Sequence, residues 1–140
     1  NFTYIEYNVL GLDIVQQFLD ALGEEPEIVG ECSDLSYSFD RELVRHNALL
    51  EKNGSLQLPS DMKWKKFNIK RYSKGEDVHL SECPLGILWS LTASTVHVKR
   101  VKIDLQIGDV ITFPGNWLYP VKVESDCVII KTHGGFGDGT

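Results

Sequence analysis

The chain has 140 residues, of which 42% are hydrophobic and 24% charged, and its 14 Lys and Arg stand against 20 Asp and Glu for a formal charge of −6. That length suits one globular domain whose core needs neither disulfide nor zinc staples; it excludes a pair of full-sized domains, and the composition excludes a disordered chain. The acidic balance argues against a general nucleic-acid surface, because non-specific affinity comes from neutralising phosphates.

In chain order, the aromatic and β-branched run Phe2 to Val9 reads as a strand. Leu12, Val15, Phe18, Leu19 and Leu22 then recur at helical spacing between Gly11 and Gly23, which predicts an amphipathic helix over 12–22. A second helix is expected over 40–52, where Leu43, Leu49 and Leu50 share a face and Asn53-Gly54 supplies a stop. From Ser55 the texture becomes short β-rich runs broken by Gly, Pro and Asp: 55–58, 66–72, 77–80, 86–93, 95–105, 109–113, 118–123 and 126–132. Within 95–105, Val96 and Val98 share one face, whereas Val101, Ile103 and Leu105 continue it only after a slip at Lys99-Arg100, which predicts a bulge or turn. The stretch 134–140, with four glycines, reads as a flexible tail. Two helices followed by about eight strands predict a mainly β (α+β) jelly roll over 1–133, with helical support over 12–52 and barrel strands over 55–132.

Cys32, Cys83 and Cys127 are odd in number and widely spaced, so no disulfide framework is implied. Asn1 to Glu6 lacks the basic start of a signal peptide, and no apolar run approaches the roughly 18 residues of a membrane span. There is no Gly-x-Ser-x-Gly elbow, no phosphate-binding glycine loop before a helix, and no spacing that brings two carboxylates together. Lys63-Trp64-Lys65-Lys66-Phe67 and Lys70-Arg71-Tyr72 interleave cations with aromatics, as single-stranded nucleic-acid binders do, but one wet face of an amphipathic strand gives the same pattern.

The run Gly108-Asp109-Val110-Ile111-Thr112-Phe113-Pro114-Gly115-Asn116-Trp117-Leu118-Tyr119-Pro120 is more specific. Gly-Asp makes a turn into an apolar strand and Phe-Pro ends it. This run resembles the penultimate strand region of double-stranded β-helix proteins, the cupins and the iron(II)- and 2-oxoglutarate-dependent oxygenases, and is most similar to the prolyl-hydroxylase type, including phage-encoded members. Upstream, Tyr72-x-x-Gly75 followed by His79-Leu80-Ser81 resembles the stretch that supplies the first two metal ligands in that family. The resemblance covers roughly residues 66–132. It implies a double-stranded β-helix, His79 in the first ligand slot, and Lys131, with Tyr72 nearby, as the group that meets the far carboxylate of 2-oxoglutarate.

The sequence departs from the pattern at two ligand slots, where Ser81 stands for the carboxylate and Val121 for the distal histidine. Iron in this class sits on two imidazoles and a carboxylate. The expectation is therefore a binding or structural module without catalysis and without a cofactor, engaging a protein partner rather than nucleic acid or membrane, in the cytoplasm or in a virion assembly. The alternative is an active iron(II)/2-oxoglutarate dioxygenase, a hydroxylase with iron on His79, on Asp77 or Glu82, and on His97 or His133. The second alternative is a single-stranded nucleic-acid binder using Lys65, Lys66 and Arg71.

Overall fold

The computed structural model describes residues 4–6, 9–32, 62–80, 85–114 and 120–136. The elements are β1 (Tyr4–Glu6), α1 (Leu12–Leu22), β2 (Glu27–Glu31), β3 (Met62–Tyr72), β4 (Asp77–Val78) and β5 (Leu85–Ser90). They continue with β6 (Ser94–Val98), β7 (Val101–Leu105), β8 (Val110–Pro114), β9 (Val121–Val123) and β10 (Cys127–Phe136). Six strands form one antiparallel sheet in the order β1-β8-β5-β10-β3-β2, and four form a second in the order β4-β9-β6-β7. This is the jelly-roll architecture that the strand-rich second half of the sequence predicts.

Side chains alternate across a strand, so each face of the large sheet collects its own apolar set. One face carries Ile69, Ile87, Trp89, Val110 and Ile130, and α1 covers it with Ile14, Val15, Phe18 and Leu22, all buried. Each of these helix side chains contributes about 1.5–3 kcal/mol on full burial. Leu12, expected to open the apolar stripe, is instead 70% exposed. The Gly23 N–H closes the helix on the Leu19 carbonyl at 3.0 Å. Arg71 of β3 then ties down the following turn by donating to the carbonyls of Gly23 and Glu25.

The other face of the large sheet meets the small sheet. Leu88, Ile111, Phe113 and Ile129 from the first pack with Val78, Val96, Val98, Ile103, Leu105, Val121 and Val123 from the second. The slip at Lys99-Arg100 is the turn of the β6–β7 hairpin, with Lys99 at φ 56°. Strand β2 has no counterpart among the expected elements. Strand β10 runs on through Gly134 and Gly135 to Phe136, so the stretch read as a tail begins inside a strand. The helix expected over 40–52 and the strand over 55–58 lie outside the described residues.

Candidate functional site

Strands β3 and β10 pair in register from Tyr72↔Cys127 to Lys66↔His133, and the ladder shifts between His133 and Gly134. With β2 on one side and β5 on the other, the side chains fall into rows. Val29, Asn68, Lys131 and Leu88 form one, and Glu31, Lys66, His133 and Gly86 the next. Leu88 belongs to the core between the sheets. Lys131 and its row therefore point to the inner face, where the apolar filling stops. At this mouth lies a cavity of about 280 Å³. It is lined by Lys66, Phe67, Asn68, Lys70 and Tyr72 of β3, by Lys131 and His133 of β10, and by Glu27 and Val29 of β2. Asp77 and His79, at the edge of the small sheet, complete it.

The charge of this lining runs against that of the chain: three lysines and two histidines face two carboxylates, in a protein of formal charge −6. Lys131 is half-buried, and its Nζ donates to the backbone oxygen of His79 at 2.6 Å, joining the two sheets at the mouth. Asn68 Nδ2 donates to Glu27 Oε2 at 2.7 Å. Tyr72 is 4% exposed. Burial first, and then the negative charge of Glu27, push its hydroxyl up to about 12. The phenol thus keeps its proton at neutral pH and can donate to an anion. Lys70 Nζ sits 5.1 Å from the centre of the Tyr72 ring, within cation–π range. His133 is held below the usual histidine range by burial, then by Lys131 and Lys66, with Glu31 opposing.

The residues singled out as metal ligands are not gathered in this way. His79 follows β4 with an exposed side chain. Val121 is wholly buried, in register with Val78 on one side and Val98 on the other. Ser81 and Glu82 lie outside the described residues. His97 is on the outer face of the small sheet, its Nδ1 2.8 Å from Glu124 Oε1, so it plays no part in this cavity. His133 and Asp77 do share the cavity with His79. Among the described residues, however, no three His, Cys, Asp or Glu side chains converge as a metal site. The basic cluster expected to suit nucleic acid is divided by the strand: Lys66 and Lys70 line the cavity, whereas Arg71 turns outward to the α1–β2 turn.

No protein-family model and no curated protein sequence matches the chain. Solved structures do match. The viral collagen prolyl hydroxylase vCPH from Paramecium bursaria Chlorella virus-1, in its 2-oxoglutarate complex, superposes at a TM-score of 0.75 with 11% identity, covering 99% of this chain and 97% of that one. A Pseudomonas putida prolyl-4-hydroxylase superposes at 0.59 with 15% identity, over 99% of this chain and 93% of that one. HygX from Streptomyces hygroscopicus with iron bound gives 0.64 with 11% identity, over 95% and 81%. The chain has the jelly-roll fold of 2-oxoglutarate oxygenase-like proteins.

These structures correct the expectation that no cofactor is involved. The fold holds 2-oxoglutarate in vCPH, iron in HygX, and nickel together with 2-oxoglutarate in another HygX structure. The chemistry of this chain's lining fits the two groups unequally. A dicarboxylate finds a half-buried ammonium at Lys131 and a protonated phenol at Tyr72. An iron ion finds the imidazole of His79, but a hydrocarbon at Val121. The sequence singled out Lys131, Tyr72 and His79, and the three line one cavity. It missed Lys66, Lys70 and Glu27 as lining residues. The alternation along β3 was the available signal, since Lys66, Asn68, Lys70 and Tyr72 all fall on one face.

Proposed function

We propose that this chain is a cosubstrate-binding domain of the 2-oxoglutarate oxygenase type, taking 2-oxoglutarate into the cavity at the barrel mouth. The observation that supports it is Lys131: a cation on the inner face of β10, half-buried beside His79 and in one cavity with Tyr72. Lys131 would neutralise the far carboxylate of the bound acid, and the Tyr72 hydroxyl would donate to it. Where lysine replaces arginine, the charge is kept but the two-pronged geometry is lost. Hydroxylation is the activity this reading favours, because vCPH and the Pseudomonas protein are prolyl hydroxylases on the same fold. In that chemistry dioxygen is the oxidant: one oxygen atom would enter the substrate as a hydroxyl and the other the succinate formed as 2-oxoglutarate gives up two electrons and carbon dioxide.

Calorimetric titration of the full chain with 2-oxoglutarate tests the binding. Saturable binding is expected, weakened about tenfold to a hundredfold in Lys131→Met, the loss of a charged hydrogen bond in a partly dry site. Absence of binding, or unchanged affinity in Lys131→Met, overturns the assignment. The hydroxylase step is read separately, as iron(II)-dependent conversion of 2-oxoglutarate to succinate. Binding with no turnover keeps the site and removes the activity.

A further inference from the structure

Strand β7 is the outer strand of the small sheet, with β6 on one side and no strand of the described residues on the other. Its hairpin register fixes what that outer side offers. The loop between Val98 and Val101 has two residues, Lys99 and Arg100, with Lys99 at φ 56°. A loop of this kind is closed by a hydrogen-bonded pair, and bonded and non-bonded pairs then alternate along an antiparallel ladder. Val101, Ile103 and Leu105 therefore turn their backbone groups toward β6, and Lys102 and Asp104 turn theirs away from it. Thr95, opposite Asp104, has the phase this requires. Its N–H donates to Ser125 Oγ at 3.0 Å and its carbonyl accepts from the Glu124 N–H at 2.8 Å, both on the β9 side. An edge that presents such groups is a template for another strand.

The side chains select which strand fits. Val101 is 61% exposed at the end of the face that Ile103 and Leu105 bury, and Lys102 and Asp104 are exposed on the other face. Asp104 Oδ1 accepts from Thr95 Oγ1 at 2.9 Å, which leaves Oδ2 for a second donor. When β7 lies antiparallel against a second β7 with Ile103 on the two-fold axis, Lys102 of each copy stands opposite Asp104 of the other. Val101 of each stands opposite Leu105 of the other, and the outward backbone groups of Lys102 and Asp104 exchange hydrogen bonds across the junction. Neighbouring registers fail. A shift of two residues sets lysine against lysine or aspartate against aspartate, and a shift of one puts exposed side chains on the buried face.

We propose that β7 pairs with β7 of a second copy of this chain, joining two four-stranded sheets into one continuous sheet about a two-fold axis at Ile103. The cavity is at the β4 edge, the opposite end of the small sheet. Both mouths therefore stay open in the dimer, and the proposal is independent of what they bind. One short strand a side is well below the roughly 20–30 residues of a standard interface, so pairing is a weak equilibrium with a dissociation constant on the order of 10–100 μM.

Sedimentation velocity of the full chain over a concentration series, with amide hydrogen exchange read by NMR at low and high concentration, tests it. A monomer–dimer equilibrium is expected. The Lys102 and Asp104 amides should exchange about tenfold slower or more where the dimer dominates, whereas the Ile103 amide, already bonded to β6, changes little. Lys102→Asp and Asp104→Lys should each weaken association about tenfold or more, because like charges then face each other at both pairs. Mixing the two variants should restore a dimer containing one of each, since every opposed pair is complementary again, and the double variant should restore it within a single chain. Val101→Asp, at an exposed side chain outside the core, should weaken association as well. The proposal is overturned if the chain stays monomeric up to about 1 mM, if dimer strength ignores the charge variants, or if neither the mixture nor the double variant associates more strongly than the single variants.

Discussion

Val121 lies with no exposure between Val78 and Val98 in the layer that joins the two sheets, and an imidazole there would need polar partners that a row of valines does not supply. Val121→His is therefore expected to lose roughly 1–3 kcal/mol of stability, measured by urea unfolding at pH 7.5. A variant as stable as wild type would show that polar groups reach this layer after all. A second residue-scale expectation concerns Cys127, which pairs with Tyr72 across β10 and β3. Burial, followed by the charges of Asp126 and Glu76, pushes its thiol up to about 11 from 9.0. A thiol with a raised native value stays protonated while the unfolded chain ionises. Its stabilising effect is thus complete below pH 9 and is lost as pH rises toward 11. Between pH 8 and 10.5 the wild type should lose roughly 2 kcal/mol from this group, with a smaller loss from Tyr72. Cys127→Ala should remove the larger part of that slope in denaturant melts. At this scale Lys131 was singled out only through the family resemblance. Lys66 and His133 were each singled out for other roles, a nucleic-acid surface and iron, but not as neighbours, because only the β3–β10 pairing brings residues so far apart in the chain into one row.

Among the elements, α1 was legible to the residue because its apolar positions repeat at 3.6 and a glycine stands at each end. Strand β2 was not, for a physical reason: its burial alternates weakly, Val29 is 65% exposed on the sheet edge, and Gly30 has no side chain to mark a face. The space at Gly30 is filled by the Phe67 ring, which a Cβ would meet at 2.6 Å. The Gly108-Asp109 signature has a structural basis as well. Gly108 sits at φ +89°, and a Cβ would come within 2.5 Å of the Leu10 backbone oxygen. Its carbonyl accepts from the N–H groups of Val9 and Leu10, and its own N–H donates to Ser90. Buried Asp109 accepts from the Gln106 N–H at 2.8 Å. This turn thus locks the approach to α1 onto β5 and the start of β8. Gly108→Ala should cost at least 1–3 kcal/mol from the backbone conformation alone, with the melting temperature falling several degrees. A melting temperature equal to wild type would mean that the turn can rearrange freely.

For the molecule as a whole, the cavity lies where β3 and β10 of the large sheet come up against the β4 edge of the small one, and the Lys131 contact to His79 is a polar tie across that seam. Most of the seam is apolar packing, and the buried hydroxyls of Ser90 on β5 and Ser94 on β6, 2.9 Å apart, add a second polar contact between the sheets. A ligand held by Tyr72 and Lys131 binds only the folded arrangement, because unfolding separates these residues. It must then stabilise the entire chain by mass action: about 2.7 kcal/mol when 2-oxoglutarate is present at a hundred times its dissociation constant. For a chain of this length that is a rise in melting temperature on the order of 5–10 °C. Lys131→Met, whose lost contact is half-exposed, should melt within a few degrees of the ligand-free wild type, yet show little further rise on adding 2-oxoglutarate. Raising the salt concentration should shrink the wild-type rise, since the attraction between a dianion and the cationic lining is screened over about 8–10 Å at moderate ionic strength. A rise of equal size in both proteins, or one indifferent to salt, would place the acid somewhere other than this cavity. The acidic charge of the chain makes the salt series informative: a dianion is repelled by a surface of net negative charge, so attraction that fades with salt points to this lining, where three lysines face two carboxylates.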